Sequence, residues 1–204
     1  FNISDYGSEK DGDRNLTLNG KGRWDITDDV YVDGNLRFVD RDSDTDDQDF
    51  SWGSPTYAKV IDTPSTVEST EFFGGGGLTW ELFEDRFVQK FRGEVASQKY
   101  RGETTGGENG SDGKRTHLSY QGTFAFEIPQ LLSSAHSLTG AAEWERETYR
   151  NVYPSSASQG LKQERDLFGT VAEYRGEFFD RAFVTGAVRY DQNDSFKNTL
   201  TYSA

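Results

Sequence analysis

Alternation of apolar and polar side chains over long segments is the feature that most constrains the fold of this chain. Between residues 15 and 25 the odd positions hold Asn, Thr, Asn, Lys, Arg and Asp, whereas the even positions hold Leu16, Leu18, Gly20, Gly22 and Trp24. Successive side chains of a β-strand point to opposite faces of a sheet. The segment is therefore predicted to form a strand with one apolar face and one polar face.

The same pattern recurs in four successive hairpins. The predicted strands cover 14–25 and 30–38, 77–83 and 87–101, 116–128 and 137–150, and 166–178 and 183–191, and a ninth strand begins near Asn198. Short connections lie near residues 26, 84, 132 and 180. Long polar connections are expected at 42–73, 102–115, 151–165 and 192–197. The strands reach roughly 10–14 residues, and a tilted strand needs about 9–11 residues to cross a bilayer.

The lengths of the connections support a more specific prediction of the fold. Outer-membrane barrels alternate short periplasmic turns with long outside loops, and this parity holds through all four predicted hairpins. Aromatic residues near the strand ends, among them Trp24, Phe87, Tyr100 and Tyr149, suit the two interfacial girdles of such barrels. We therefore predict an all-β, antiparallel, up-and-down transmembrane β-barrel. About 8–9 strands of a larger barrel are present, and residues 1–204 belong to this single domain.

The composition agrees with a barrel and excludes several other classes of protein. Hydrophobic residues make up 33% of the chain, the mean hydropathy is −0.82, and aromatics reach 14%, which argues against disorder. No apolar run approaches the roughly 18 residues that a membrane-spanning helix needs. The net charge of −13 argues against a nucleic-acid partner, because phosphates require an excess of Lys and Arg. The absence of cysteine excludes a disulfide framework and a thiolate metal site.

Alternation by itself leaves open which face points inward. A soluble sandwich or soluble binding barrel would turn its apolar side chains inward. A complete eight-stranded outer-membrane barrel, acting as an anchor or adhesin, would turn them outward and fill its interior with side chains. Strand length and loop parity favour an orientation in which lipid covers the apolar set. Glycines on the apolar side, such as Gly20, Gly34 and Gly122, suit contact with lipid better than a tightly filled interior.

An acidic run at residues 40–49 is the candidate metal site of the sequence. It holds six Asp and one Arg, and hard cations such as Ca²⁺ bind clustered carboxylate oxygens. The EF-hand pattern fails, because Asp47 stands where Gly is required and Gly53 stands where the closing Glu belongs. We predict a solvated outside loop without a tight metal site, whose weak candidate ligands are Asp42, Asp44 and Asp46.

No catalytic arrangement emerges from the sequence. Glu143, Glu145 and Glu147 share one face of a predicted strand, but neither a nucleophile nor a pocket accompanies them. His117 and His136 have no partner suggested by spacing, and each is expected at the surface or in the lumen. We predict a protein that is not an enzyme and that uses no cofactor.

A specific motif lies near the end of the chain. Residues 177–181 read Glu-Phe-Phe-Asp-Arg, and residues 183–191 read Phe-Val-Thr-Gly-Ala-Val-Arg-Tyr-Asp. This segment resembles a barrel strand of TonB-dependent outer-membrane receptors, in which a short F-x-D-R turn precedes a hydrophobic-T-G-hydrophobic-R-Y-D strand and a polar loop. Residues 164–204 carry the motif, and all 204 residues fit as consecutive barrel strands.

The resemblance implies a function and a set of partners. Receptors of this family have about 22 strands around a plug domain, and they import scarce nutrients such as siderophores, cobalamin or sugars with energy supplied through the TonB protein. The implied location is the bacterial outer membrane. The implied partners are lipid, a small-molecule nutrient, the TonB protein through a missing N-terminal part, and the plug domain of the same parent chain.

Neither a plug domain nor a TonB-binding segment is found in the sequence, so we expect an internal piece of a longer receptor. The polar residues expected to line the lumen, in contact with plug or ligand, are Arg37, Arg92, Glu94, Glu173, Arg175 and Arg189.

Overall fold

The computed structural model describes residues 12–104, 106–128, 134–152, 160–179 and 181–204. These residues form nine β-strands: β1 Asp13–Asp25, β2 Val30–Gln48, β3 Val60–Leu82, β4 Phe87–Thr104, β5 Gly107–Ile128, β6 Ser134–Asn151, β7 Lys162–Phe178, β8 Ala182–Asn193 and β9 Thr199–Ser203. The predicted turn near residue 132 lies outside the described residues. No helix in the described part of the chain is long and apolar enough to span a bilayer.

All nine strands lie in one antiparallel sheet, in which each strand pairs with its neighbours in sequence. This up-and-down order confirms the predicted all-β, antiparallel fold class. Among the described strands, β1 pairs only with β2 and β9 pairs only with β8, so β1 and β9 are the edges of the sheet. The described strands therefore do not form the closed eight-stranded barrel that the sequence left open as an alternative.

The register separates the alternating side chains into two faces of the whole sheet. What we call the apolar face includes the transverse row Trp24, Val32, Leu78, Phe91, Tyr120, Ala142, Thr170, Tyr190 and Leu200. What we call the polar face includes the adjacent row Arg23, Asp33, Gly77, Arg92, Ser119, Glu143, Gly169, Asp191 and Thr199. Tyr100 and Tyr149 belong to rows of the polar face, so their predicted place in a lipid-facing girdle is wrong.

Within the described ranges, no protein layer covers the apolar face. Among the described residues no apolar side chain is buried, and Leu36, Phe124 and Val188 keep 49%, 42% and 42% of their surface exposed. A soluble sandwich or binding barrel buries such residues in a core between packed layers. The arrangement of the apolar side chains therefore argues against the soluble alternative.

The apolar side chains form a band that crosses the strands obliquely. Its edge toward the β2–β3 connection lies at Leu16 in β1 and at Tyr190 in β8. Through the register, Leu16 shares a row with Lys99 of β4 and Tyr190 shares a row with Phe91. The edge thus moves by eight residues over the seven steps from β1 to β8. With about 3.3 Å per residue and about 4.8 Å between strands, this slope corresponds to a strand tilt of about 40°. Strands of outer-membrane barrels tilt by about 35–45°.

The strands continue past the apolar band, and this shortens the predicted loops. β2 ends at Gln48 and β3 starts at Val60, so the expected loop at 42–73 becomes a connection at 49–59. The expected loop at 102–115 becomes a connection at 105–106, shorter than the turn at 83–86. Strict alternation of long and short connections is therefore wrong at this hairpin. At the other two expected loops, β6 ends at Asn151 and β7 starts at Lys162, and β8 ends at Asn193 and β9 starts at Thr199.

The acidic run at 40–49 is mostly part of β2 and not a solvated loop. It ends in a turn organised by Asp49, whose carboxylate accepts hydrogen bonds from the Thr56 hydroxyl at 2.6 Å and the Ser51 N–H at 2.8 Å. Hydrogen bonds with Ser54, Thr56 and the Ser51 backbone hold the pKa of Asp49 well below its usual range. Beside Asp49, the turn exposes Trp52 at the far end of the hairpin. The prediction failed because paired strands with polar residues on both faces look like loop sequence.

Candidate functional site

Charged residues on the polar face form a line across the sheet, which we call the charge line. Five strands, β2, β4, β5, β6 and β8, contribute its members: Asp33, Arg92, Glu94, His117, Glu143, Arg189 and Asp191. At one end, Arg92 lies 3.3 Å from Asp33 and 3.6 Å from Glu94. At the other end, Arg189 hydrogen-bonds to Glu143, and its Nε lies 3.0 Å from Asp191 Oδ2.

His117 joins the two halves of the charge line. Its Nδ1 lies 3.9 Å from Glu94 Oε2, and its Nε2 lies 3.8 Å from Glu143 Oε2. These separations are longer than hydrogen bonds. The side chains of the charge line are a fifth to almost half exposed, so each ion pair contributes at most about 1 kcal/mol to stability. The charge line mainly fixes the positions of the charged groups on this face.

Glycines allow these ion pairs to reach across intervening strands. The Asp33–Arg92 pair links β2 to β4 over Gly77 of β3, and a Cβ at Gly77 would lie 3.2 Å from Asp33 Oδ1 and 3.4 Å from Arg92 Cγ. The Glu143–Arg189 pair likewise spans β7 over Gly169. These pairs could not be predicted from the sequence, because the register between neighbouring strands was unknown.

The six predicted lumen residues all lie on the polar face, but they do not form one cluster. Arg92, Glu94 and Arg189 belong to the charge line. Glu173 and Arg175 form a separate pair on β7, with Arg175 Nε 2.6 Å from Glu173 Oε1. The remaining residue, Arg37, lines a hollow elsewhere on the same face.

The three glutamates of β6 each bond to an arginine. Arg115 Nε donates to Glu145 at 2.7 Å, Arg165 donates to Glu147 at 2.6 Å, and Glu143 accepts from Arg189. A general acid or base needs a free proton-transfer position within reach of a substrate. The pairing of these carboxylates gives them a structural role on the polar face.

A hollow of about 930 Å³ lies on the polar face beyond the charge line, toward the β2–β3 connection. Its lining includes Arg37, Glu71, Phe73, Tyr149, Arg165 and Phe196. Four of these come from segments that sequence analysis assigned to loops: Glu71 and Phe73 from 42–73, Arg165 from 151–165, and Phe196 from 192–197. Ligand sites in proteins have volumes of about 300–1,000 Å³, mostly apolar walls and a few placed polar groups. The volume of the hollow lies in this range, and Phe73, Tyr149 and Phe196 supply apolar surface, but most of the lining side chains are charged or polar.

The β8–β9 connection places Phe196 at the hollow. The side-chain oxygen of Asn193 accepts hydrogen bonds from the backbone N–H groups of Ser195 at 2.8 Å and Phe196 at 3.1 Å. Asn198 ties the other end of this connection to Tyr190 through a 3.0 Å hydrogen bond between Nδ2 and the Tyr190 hydroxyl. These bonds hold the backbone on both sides of the Phe196 ring, 68% of whose surface is exposed.

The candidate metal ligands follow one another along β2. Asp42 lies 3.8 Å from Arg14, and Asp44 accepts a hydrogen bond from the Gly12 N–H at 2.9 Å. Within the described ranges, no three or more His, Cys, Asp or Glu side chains group in a way that could hold a metal ion. Weak or absent calcium binding by Asp42, Asp44 and Asp46 stays a prediction.

The prediction that both histidines lie at the surface or in the lumen is wrong for His136. This residue is on the apolar face and only 7% exposed, and its ring stacks on Phe126 with centroids 5.0 Å apart. Its Nδ1 is 2.8 Å from the Tyr174 hydroxyl, and its Nε2 is 2.8 Å from Ser134 Oγ. Gly176, opposite His136 on β7, leaves the space into which the Tyr174 hydroxyl projects.

Solved structures share this arrangement of strands. The siderophore receptor PirA from Pseudomonas aeruginosa matches 93% of the chain with a TM-score of 0.69 and 18% identity. The RagAB peptide transporter matches 91% with a TM-score of 0.63 and 12% identity. The ferric preacinetobactin receptor BauA from Acinetobacter baumannii matches 95% with a TM-score of 0.59 and 8% identity. No protein-family model and no curated protein sequence matches the chain.

The chain has the fold of a TonB-dependent receptor barrel. It spans 29% of the length of PirA and RagAB and 36% of the length of BauA. The resemblance noted in the sequence is thus confirmed at the level of the fold. These neighbours are receptors and transporters, and none of them is named as an enzyme. In barrels of this fold, lipid covers the apolar face of the sheet.

Proposed function

We propose that residues 1–204 form part of the wall of a single barrel domain in a bacterial outer membrane, and that this barrel takes up a scarce nutrient. The apolar band contacts lipid and the polar face surrounds the lumen. The support comes first from the band itself, whose residues lack any covering protein layer in the described sheet. An open sheet edge is not stable in lipid, so further strands complete the barrel in the membrane.

The proposed partners inside the barrel follow from the polar face. Arg92, Glu94, Glu173, Arg175 and Arg189 are candidates for contact with a plug domain, and they are already oriented by ion pairs. A plug closes the lumen of such a wide barrel, and the TonB protein supplies the energy to move it. We propose siderophores or peptides as the first substrates to examine, because the structural neighbours are named as siderophore receptors and a peptide transporter.

Cysteine labelling tests both membrane insertion and orientation. Residues 1–204 contain no cysteine, so a single cysteine introduced here can be labelled specifically in a full-length protein whose other cysteines, if present, are replaced by serine. Ser51→Cys lies in the β2–β3 connection, and Asp85→Cys lies in the turn at the other end of β3. On intact cells producing the full-length protein, a membrane-impermeant maleimide is expected to label Ser51→Cys and to spare Asp85→Cys until the outer membrane is permeabilised. Equal labelling of both sites on intact cells contradicts a transmembrane wall.

A further inference from the structure

We propose that the hollow on the polar face binds a zwitterionic small molecule, one that carries a carboxylate and an ammonium group on an apolar body. This inference rests on the proposed receptor function, since it assigns a ligand class to that receptor. The proposed site consists of two charged side chains, Arg37 and Glu71, and the apolar surface between and around them.

Arg37 and Glu71 differ from the other charged side chains on the polar face beside the hollow. Arg115 donates to Glu145 and Arg165 donates to Glu147, so both of those guanidinium groups are neutralised. Arg37 and Glu71 have neither a hydrogen bond nor an ion pair from their side chains among the described residues, and both are exposed. The polar face thus brings one unpaired positive side chain and one unpaired negative side chain to the hollow. Lys114, which also lines the hollow, belongs to the opposite, apolar face of the sheet.

The register places these two charges side by side. Glu71 of β3 pairs with Val39 of β2, and Arg37 lies two residues from Val39 on the same face. Diagonal neighbours of this kind have Cβ atoms about 7–8 Å apart. The two groups are therefore close enough to act on one small molecule, and a free carboxylate with a free ammonium group complements them.

Apolar surface and open space complete the site. Phe73 stands directly opposite Arg37, and the small residue Ala96 follows Phe73 in that row. In the adjacent row Gln98 follows Glu71, and Gly113 lies beyond Gln98. A Cβ at Gly113 would meet nothing within 4 Å. Phe196 reaches the hollow from the β8–β9 connection. A ligand body of apolar side chains fits this lining, because its burial against the two rings is favourable.

One peptide in three chemical forms provides the probe. A tetrapeptide with apolar side chains is prepared with free ends, with an acetylated amino end, and with an amidated carboxyl end. Binding to the full-length protein in detergent is measured by calorimetry. The unblocked peptide is expected to bind at least about tenfold more tightly than either blocked form, because hydrogen bonds to charged groups are the stronger class.

Two substitutions assign each charge to its partner. Arg37→Gln is expected to remove the difference in affinity between the unblocked and the amidated peptide. The difference in affinity between the unblocked and the acetylated peptide is expected to remain. Glu71→Gln is expected to do the reverse. Arg86→Gln and Glu84→Gln, in the turn at the far end of β3 and β4, are matched controls and are expected to change neither preference.

The outcomes separate this inference from the receptor function. The proposal of a zwitterionic ligand is wrong if all three peptide forms bind equally, or if none binds to a protein that passes the cysteine-labelling test. Either result leaves the barrel assignment intact. If Arg37→Gln lowers the stability of the full-length protein but leaves peptide binding unchanged, Arg37 contacts the plug and the inference is wrong. A failure of the labelling test itself contradicts the receptor.

Discussion

Arg189 of β8 hydrogen-bonds to Glu143 of β6, although the whole of β7 lies between them. The two side chains meet over Gly169 of β7, whose missing side chain provides the space. A Cβ at Gly169 would lie 2.9 Å from Arg189 Nη2 and 2.9 Å from Glu143 Oε1. Real Cβ atoms do not approach other atoms so closely, so a side chain at residue 169 is incompatible with this pair as it stands.

Replacing Gly169 tests whether this pair holds three strands in place. Gly169→Val is expected to lower the free energy of unfolding by about 1–3 kcal/mol, because an added side chain must displace both partners. Urea unfolding of the protein in lipid vesicles measures the change. Gly186→Val is the matched control, since a Cβ at Gly186 meets nothing within 4 Å. Equal losses in the two variants would mean that the crossing pair contributes nothing.

The hydrogen bond between Tyr174 and His136 gives a second prediction. Tyr174→Phe leaves the ring in place but removes the hydroxyl that lies 2.8 Å from His136 Nδ1. Because His136 is buried, the loss of one partner is expected to cost about 1–3 kcal/mol of unfolding free energy. The same urea experiment measures it. Tyr57→Phe, in the β2–β3 connection at a residue 41% exposed, is expected to change stability by less than about 0.5 kcal/mol. An unchanged midpoint for Tyr174→Phe contradicts the proposed contact.

The turn at Asp49 is expected to resist acid. The pKa of Asp49 is lowered in the folded turn by its hydrogen bonds with Ser54, Thr56 and Ser51. A depressed pKa stabilises the turn above the unfolded value of about 3.9, and this contribution is lost only as the pH falls through the lower folded value. The Ala58 N–H donates to the Asp49 carbonyl at 2.7 Å. Its protection against hydrogen exchange, relative to an unstructured peptide at the same pH, should therefore persist down to about pH 4.

Asp49→Asn provides the comparison for that measurement. The amide keeps the shape of the side chain but removes the charge, so exchange at Ala58 is expected to be faster than in the wild type at pH 6. The difference should narrow in strong acid, where the wild-type carboxylate is also protonated. Identical exchange in the two proteins across this pH range would show that the carboxylate does not organise the turn.

The sequence allowed the faces of the sheet to be predicted, because alternation with period 2 is a local property. Leu36, Phe124 and Val188 lie on the face to which alternation assigns them. The continuation of β3 through Glu71 could not be predicted in this way, because the strand carries polar residues on both faces beyond the band. Because residues 42–73 were assigned to a loop, Glu71 was not predicted as a residue of the polar face.

Contacts between side chains on different strands could not be predicted from the sequence for a different reason. Arg37, Arg92 and Arg189 were recognised as polar-face residues, but their different surroundings depend on the register of neighbouring strands. The crossing of Gly169 by Arg189 and the burial of His136 beside Gly176 both depend on which glycine lies opposite which side chain. Neither relationship leaves a signal in residue spacing along one strand.

The central claim is that the apolar face contacts the hydrocarbon of a membrane, and two tryptophans test it most directly. Trp80 lies on the apolar face within the band, whereas Trp52 lies in the β2–β3 connection beyond it. Both are exposed in the structure, at 43% and 89%. Single-tryptophan variants retaining one or the other are inserted into vesicles whose lipids carry brominated acyl chains. We predict strong quenching of Trp80 fluorescence and none of Trp52. Trp80 fluorescence that bromine leaves unchanged, while aqueous acrylamide quenches it as readily as Trp52, would contradict the account.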